Sequence, residues 1–574
     1  MTAVSELRRQ REASIEATRA GPPPRTSNPF FGVGPITDGV ADEAEARLNR
    51  FAFEAWLERT YRKLDDTGRD LGPFTAAELG RSMHRGYPAD KVLLDMMREI
   101  HRYFEFPKAN KMAVGLGGGH SGFSVAALHL LTTADPAQHV FIDTLAPETE
   151  AAKASGFFRQ SWGAQIVELT RYARGGDESR IHFAAAEGEI PSAEALQRMG
   201  VKLFFGVGHE TTGATTYSRA DIANLLAWID RDPAQHHAVL DVTSMLGAMP
   251  WGGDLVAQVM LKCCLFTPFQ KAIGGVSGYF IISFTPAALE LAERNQKRPS
   301  WAIPRQFKLA APLDPRKPLT GERSVFAGPL YDPAANKMLG GVINTFSTMA
   351  FAETTFGLLR AEERNGSVAE LNRRSVANRQ AVNDWIGRNK LFALGVADPE
   401  HRGAAVTLLK VTDPDITDPV LQARVLARSK QLLAYDGITH PNGEREPGLD
   451  VARYVNAFPG TPGDYRAWIG GIRPMSDIAA LLDNLAYAYH RAKIVMVEEE
   501  LAKAGVTFAA VPAKRTEAGA TPVAKMRQAA ETMAAILAAI DSTSDPARRQ
   551  ELLDRHGAKL AAAAKTYAAL ADQA

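Results

Sequence analysis

Cysteine is nearly absent from these 574 residues: there are two, adjacent at Cys263 and Cys264 inside an apolar run. Neighbouring cysteines cannot staple a small secreted fold, so they read as small buried hydrophobes in a chain expected to work in a reducing cytosol. A surplus of charge is missing too, since 66 Lys plus Arg face 65 Asp plus Glu for a formal charge of +1. That removes the general electrostatic case for nucleic acid or an anionic membrane as partner. No uninterrupted apolar run reaches the length of a membrane span, and the N-terminus lacks the apolar stretch of a secretory leader. Arg8, Arg9, Arg11 and Arg19 raise a transit peptide, but Glu6, Glu12 and Glu16 oppose it, and the expected location is cytoplasmic.

What is present is an ordinary globular composition, 45% hydrophobic and 23% charged, in a chain too long for one core. Composition shifts divide it into a polar N-terminal arm with the stiff Gly21-Pro22-Pro23-Pro24 linker (1–27), a large lobe (28–345), a smaller α/β lobe (346–502) and a tail (503–574). In the smaller lobe, apolar residues at helical spacing over 349–359 and 368–386 are followed by strand-like 404–411 and 465–469, with a helix from Ser476 to about Glu500 at its end. The tail reads as a linker and a helical hairpin, about 523–540 and 546–570, turning at Ser544-Asp545-Pro546. Its Ala-rich sequence has little side chain to bury alone and is expected to pack on the body or on a second subunit.

The chemistry lies at the ends of apolar runs. Val201 to Val207 reads as a buried strand leading into His209-Glu210-Thr211-Thr212-Gly213, His237 to Leu240 leads into Asp241, and Cys263 to Phe266 leads towards Lys271. Open α/β sheets place ligand sites in such trailing loops. A carboxylate and an amine on neighbouring strand ends can face one pocket, the pairing that pyridoxal phosphate (PLP) needs. The lysine forms a Schiff base with the cofactor aldehyde, and the carboxylate keeps the pyridine nitrogen protonated. The glycines of Val114 to Gly122 let the backbone approach an anion, and the apolar segment 123–131 suits a helix whose N-terminus points at it. A cofactor phosphate fits there. Taken singly, an Asp after a strand is commonly a helix cap and a Lys before glycines a solvated loop residue; their combination carries the chemistry.

In order along the chain, from about Asn28 to Lys493, these residues resemble the phosphoserine aminotransferases among the class V, fold-type I PLP enzymes. Met83-His84-Arg85-Gly86 is similar to the family's Ser-His-Arg-Gly turn and Gly117-Gly118-Gly119-His120-Ser121-Gly122-Phe123 to its phosphate loop. Glu210-Thr211 matches Asn-Glu-Thr, Asp241-Val242-Thr243-Ser244 matches Asp-x-Ser-Ser, and Gln270-Lys271-Ala272-Ile273-Gly274 matches Gln-Lys-Asn-Ile-Gly. Asn344-Thr345-Phe346 resembles Asn-Thr-Pro, and Arg466-Ala467-Trp468-Ile469 resembles Arg-Ala-Ser-Ile.

The resemblance implies an α/β fold-type I architecture, with a large mixed-sheet cofactor domain, a smaller α/β domain and, here, a C-terminal helical extension. It implies a homodimeric aminotransferase with shared active sites, acting on phosphoserine and 2-oxoglutarate in serine biosynthesis. Lys271 would carry the cofactor, and Asp241 would hold the ring nitrogen. Gly119, His120 and Gln270, with Asn344 and Thr345 from the other subunit, would hold the phosphate, and Thr211 and Thr243 would touch the ring or its substituents. Arg466 would receive the substrate α-carboxylate, and His84 and Arg85 its second anionic end. No metal is expected.

The chain also departs from the family. Asp143-Thr144-Leu145-Ala146-Pro147-Glu148 offers no aromatic where the family stacks a tryptophan on the ring, which leaves Phe123 or His209 as candidates; His209 itself replaces an asparagine. Another class V reaction on a related amino acid, a lyase or a decarboxylase, stays open, as does a cofactor-binding scaffold without turnover. A desulfurase is disfavoured because no cysteine follows Lys271.

Overall fold

The computed structural model describes residues 3–24, 34–36, 43–82, 86–130, 180–184, 190–296, 309, 330–339, 346–434, 437–449, 451, 455–457, 461, 463–508, parts of 533–540, and 546–571. The architecture is α/β. Among the described residues eight strands form the larger sheet: β1 (Lys111–Leu116), β2 (Arg180–Ala184), β3 (Val201–Val207), β4 (His237–Asp241), β5 (Cys264–Pro268), β6 (Tyr279–Phe284), β7 (Leu330–Asp332) and β8 (Lys337–Leu339). They lie in the order β8-β7-β1-β6-β5-β4-β3-β2. The four strands β2 to β5 are mutually parallel, and β6, β1, β7 and β8 add antiparallel.

Two antiparallel steps restore direction, so β1 runs with β3, β4 and β5. All four therefore deliver their trailing loops to one edge of the sheet. The central strands are apolar at almost every position because both faces are covered. Phe204, Leu240, Leu265 and Ile281 point to one core, with Leu93, Met96 and Trp228. Phe205, Val239, Phe266 and Phe280 point to the other, with Phe123 and Leu128. Cys263 and Cys264 fall on opposite faces as free thiols, and burial raises the pKa of both.

A second, three-stranded antiparallel sheet holds β9 (Phe392–Leu394), β10 (Val406–Val411) and β11 (Tyr465–Trp468), with β10 in the middle. Its core joins Trp385, Leu409, Leu432, Tyr465, Leu482 and Tyr489. Between the two sheets lies a small apolar cluster of Ala214, Ala248, Ala405, Val406, Leu408 and Trp468.

The N-terminal helix α1 (Ala3–Ala17) lies against the long helix Met475–Lys503 of the smaller lobe. Its inward side is polar, since Gln10, Ser14 and Thr18 are buried at four-residue spacing. The partners explain this. Gln10 donates to the Asp415 carbonyl at 2.7 Å, and Arg11 pairs with the buried Glu498 at 2.8 Å. Beside them His440 sits 3.0 Å from Glu446 and 3.8 Å from Glu498, which push its pKa up to about 9. In the tail, the helix Pro546–Ala571 sets His556 edge-on against Phe51 at 4.2 Å, so this part packs on the body. Most of the expected preceding helix lies outside the described residues.

Candidate active site

Asp241 closes β4 and is buried. The Thr243 backbone N–H donates to its Oδ1 at 2.9 Å, and the Thr243 hydroxyl donates to the same oxygen. Lys271 sits on the neighbouring strand's exit, in a single turn of π-helix over Phe269–Ile273. Gly274 ends that turn at φ 88°, a conformation that glycine adopts without strain, and the N–H groups of Gly274 and Gly275 both reach the Phe269 carbonyl at 2.8 Å. Ala272 N–H bonds the Thr243 carbonyl at 2.9 Å, tying the lysine turn to the aspartate loop. From the far N-terminal side, Gly34 presses its backbone on the same turn: a Cβ there would stand 2.4 Å from the Lys271 carbonyl oxygen and 2.2 Å from Gly274 N.

The exit of β3 forms a short hairpin, in which His209-Glu210 pairs with Thr215-Thr216 and Ala214 takes a φ of 59°. Glu210 accepts the Gly213 N–H, and burial raises its pKa. His209 Nδ1 lies 2.9 Å from Ser244 Oγ, which in turn lies 2.6 Å from Thr211 Oγ1. Burial, then the nearby Lys271 charge, pull the imidazole down to about 3, so it is neutral. Arg466 enters from β11, opposite Leu408 of β10.

These groups form one electrostatic cluster. Burial lowers the Lys271 pKa while Asp241 and Glu210 raise it and Arg466 lowers it further. Burial lifts Asp241 to about 6 against the pull of Thr243 and Lys271. Burial lowers Arg466 against Glu210. Two carboxyls and two cations thus meet at a single edge of the sheet.

The glycine loop reaches that edge from β1. Gly117, at φ 147°, folds back so that a Cβ would meet the Gly122 backbone at 3.0 Å. Gly118 N–H donates to Ser121 Oγ at 3.1 Å, and the helix Gly119–Leu128 starts there. Gly119 faces open space. No described residue stands within 4 Å of where its Cβ would be, while Gln270 Nε2 lies 3.7 Å from the corresponding point on Gly118. Gln270 Oε1 is buried with no hydrogen-bond partner among the described residues. A helix N-terminus open among the described residues, an amide beside it, and a half-buried lysine coupled electrostatically to two carboxyls fit the phosphate, ring nitrogen and aldehyde of PLP.

The structure therefore brings together Lys271, Asp241, Thr211, Thr243, Gln270, Gly119 and Arg466. His84, Arg85, Asn344 and Thr345 lie outside the described residues, as does the side chain of His120. Phe123 is a core ring rather than a stacking partner: it meets Phe205 and Phe266 edge-on at 6.3 and 5.6 Å on the buried face. Sequence reasoning gave no role to Glu210 or Ser244. Both stand inside the motifs quoted above, but only the fold sets Glu210 beside Lys271 and Ser244 between His209 and Thr211.

No protein-family profile matches the chain, and no curated protein matches it. Solved structures do. The chain is similar to phosphoserine aminotransferase from Bacillus circulans subsp. alkalophilus at 14% identity and a TM-score of 0.49, over 81% of this chain and 99% of that one. It is similar to PLP-bound phosphoserine aminotransferase from Trichomonas vaginalis at 16% and 0.44, over 80% and 99%. It is also similar to alanine–glyoxylate aminotransferase from Nostoc sp. at 12% and 0.48, over 81% and 95%. Identities this low leave the chemistry to be read from the side chains.

Proposed function

We propose that this protein is a PLP-dependent aminotransferase, with phosphoserine and 2-oxoglutarate as its substrate pair. One observation carries the proposal: the half-buried Lys271 is coupled electrostatically to Asp241, Glu210 and Arg466 at the sheet edge that the glycine loop reaches. PLP bound there would supply an aldehyde for amines and a ring that accepts the electrons of a broken Cα bond.

The chain's own groups supply the rest. Lys271 Nζ, its basicity reduced by burial, takes the proton from the substrate Cα and returns it. Asp241, fixed by its two bonds from Thr243, holds a proton on the ring nitrogen. The Gly119 helix N-terminus and Gln270 hold the phosphate. Thr211 and Thr243 would contact the ring or its substituents, with Ser244 hydrogen-bonded to Thr211. Arg466 receives the α-carboxylate through its planar fork, and Glu210 supplies the balancing charge beside Arg466 and Lys271. Burial of these groups keeps water from the labile proton.

A homodimer belongs to the same proposal, with Asn344 and Thr345 reaching the partner's phosphate and with His84 and Arg85 binding the substrate's distal anion. So does a cytoplasmic location; no helix among the described residues is long and apolar enough to cross a membrane. The test is chemical. Protein purified with PLP should absorb in the visible region, borohydride should fix the cofactor to the peptide containing Lys271, and phosphoserine with 2-oxoglutarate should yield glutamate. Labelling at another lysine would overturn the site. Glutamate from a different donor alone would overturn the substrate.

A further inference from the structure

The smaller lobe reaches the site at a second place besides Arg466. Its turn around 399–403 clasps the hairpin that carries Glu210. Gly403 N–H donates to the Ala214 carbonyl at 2.9 Å, Arg402 forms an isolated antiparallel bridge with Thr215, and His401 Nδ1 lies 2.9 Å from the Thr216 carbonyl. Arg379 Nη1 steadies the turn by donating to the Arg402 carbonyl at 2.9 Å.

Under this clasp lies His209, 2% exposed. A Cβ on Gly403 would stand 2.2 Å from His209 Nε2 and 2.6 Å from its Cδ2, so the imidazole and the Gly403 backbone are in full contact. No hydrogen-bond partner among the described residues meets Nε2. The ring is therefore gripped by shape on the side of the smaller lobe and by the Ser244 bond on the side of the larger one. Gly403 lies just before β10, and Arg466 pairs with β10 at Leu408, so one small sheet carries both.

We propose that His209 is a positioning residue: held between Gly403 and Ser244, it transmits the seating of the smaller lobe to the Ser244–Thr211 hydroxyls, so that these hydroxyls and Arg466 come into register together. A neutral imidazole suits the role, since a charge here would face Lys271 in a dry site. Close-packed contacts of this kind transmit a displacement rather than absorb it.

The proposal rests on the aminotransferase assignment only for its kinetic arm. Hydrogen exchange of the 209–216 and 399–403 peptides, measured on cofactor-free full-length protein, is independent of it. Gly403→Ala should drive the imidazole away, speeding exchange in both peptides about tenfold, the scale of one lost hydrogen bond. In the loaded enzyme it should raise KM for the amino-acid substrate by a similar factor with a smaller change in kcat. His209→Asn places an amide where Nδ1 bonds Ser244 and vacates the Nε2 position; it should cost a few-fold at most and relieve the Gly403→Ala defect in the double variant. His209→Ala, which loses the Ser244 bond, should raise KM and loosen PLP while leaving Gly403→Ala without further effect. Additive losses in the His209→Asn/Gly403→Ala double variant, or a silent Gly403→Ala, would overturn the proposal. A wild type without transamination would overturn the assigned reaction, with the exchange arm still deciding the role of His209.

Discussion

Replacing Asp241 by asparagine should make the cofactor-free protein more stable and the loaded enzyme nearly inactive, and the two effects share one origin. Burial raises this carboxyl from 3.8 to about 6. A carboxyl whose folded pKa lies above its unfolded value brings no penalty below the unfolded pKa, and the penalty grows until pH passes the folded one. At pH 8 the full difference of roughly two units, at about 1.4 kcal/mol each, amounts to about 3 kcal/mol. That figure already contains the attraction of Lys271, which pulls the carboxyl down, so the expected gain is on the order of 2–3 kcal/mol. Asparagine presents the same Oδ1 acceptor to Thr243, so the loop is kept. Urea unfolding of the cofactor-free proteins should show Asp241→Asn ahead of wild type at pH 8, with the gap falling by about half at pH 5. With PLP bound, loss of the charge facing the ring nitrogen should lower kcat on the order of a hundredfold or more. A variant less stable than wild type at pH 8, or a gap that does not narrow towards pH 5, would refute the assignment of the strain to this carboxyl.

Arg466→Ala should lower kcat/KM about tenfold to a hundredfold for every amino-acid substrate, because all carry an α-carboxylate, whereas Arg85→Ala should penalise only those with a second anionic end. Equal losses for alanine and phosphoserine in Arg85→Ala would make His84 and Arg85 structural. Thr345→Ala should weaken PLP retention, and equilibrium dialysis showing unchanged affinity would count against a shared site. His440, raised to about 9, contributes stability that is complete below its unfolded pKa of 6.5 and lost as pH rises through 9. Discounted for solvent screening, His440→Gln should cost about 1–2 kcal/mol at pH 6 and almost nothing at pH 10; a pH-independent loss in thermal melts would refute the charge pairing.

The strand ends were legible because they are governed by local pattern. Val201 to Val207 is apolar without helical period and takes that extent as a strand, and the His237 strand stops at its first carboxylate, Asp241. The Lys271 segment was legible as a loop, but its π-helical turn is set by Thr243 and Gly34, distant residues that no window around Lys271 contains. The inward stripe of α1 was hidden for another reason. Gln10, Ser14 and Thr18 look solvated, and what covers them comes from the far end of the chain: Gln10 donates to the Asp415 carbonyl, and Ser14 Oγ lies 3.4 Å from His490 Nδ1. Glu210 stood in plain view, yet a carboxyl in a turn gains meaning only beside the amine it faces.

Gly34 has a bearing on how the protein comes to work at all. It leaves the ribosome long before Lys271, yet its backbone forms part of the wall against which the lysine turn rests. A contact so distant in sequence closes slowly, after the local strands and helices have formed. The lysine turn is thus finished by a segment made more than two hundred residues before it, returning late. Newly made chains should pass through a state with an assembled sheet and an unset lysine, and a bulky fusion placed ahead of Gly34 should disturb the turn that carries Lys271.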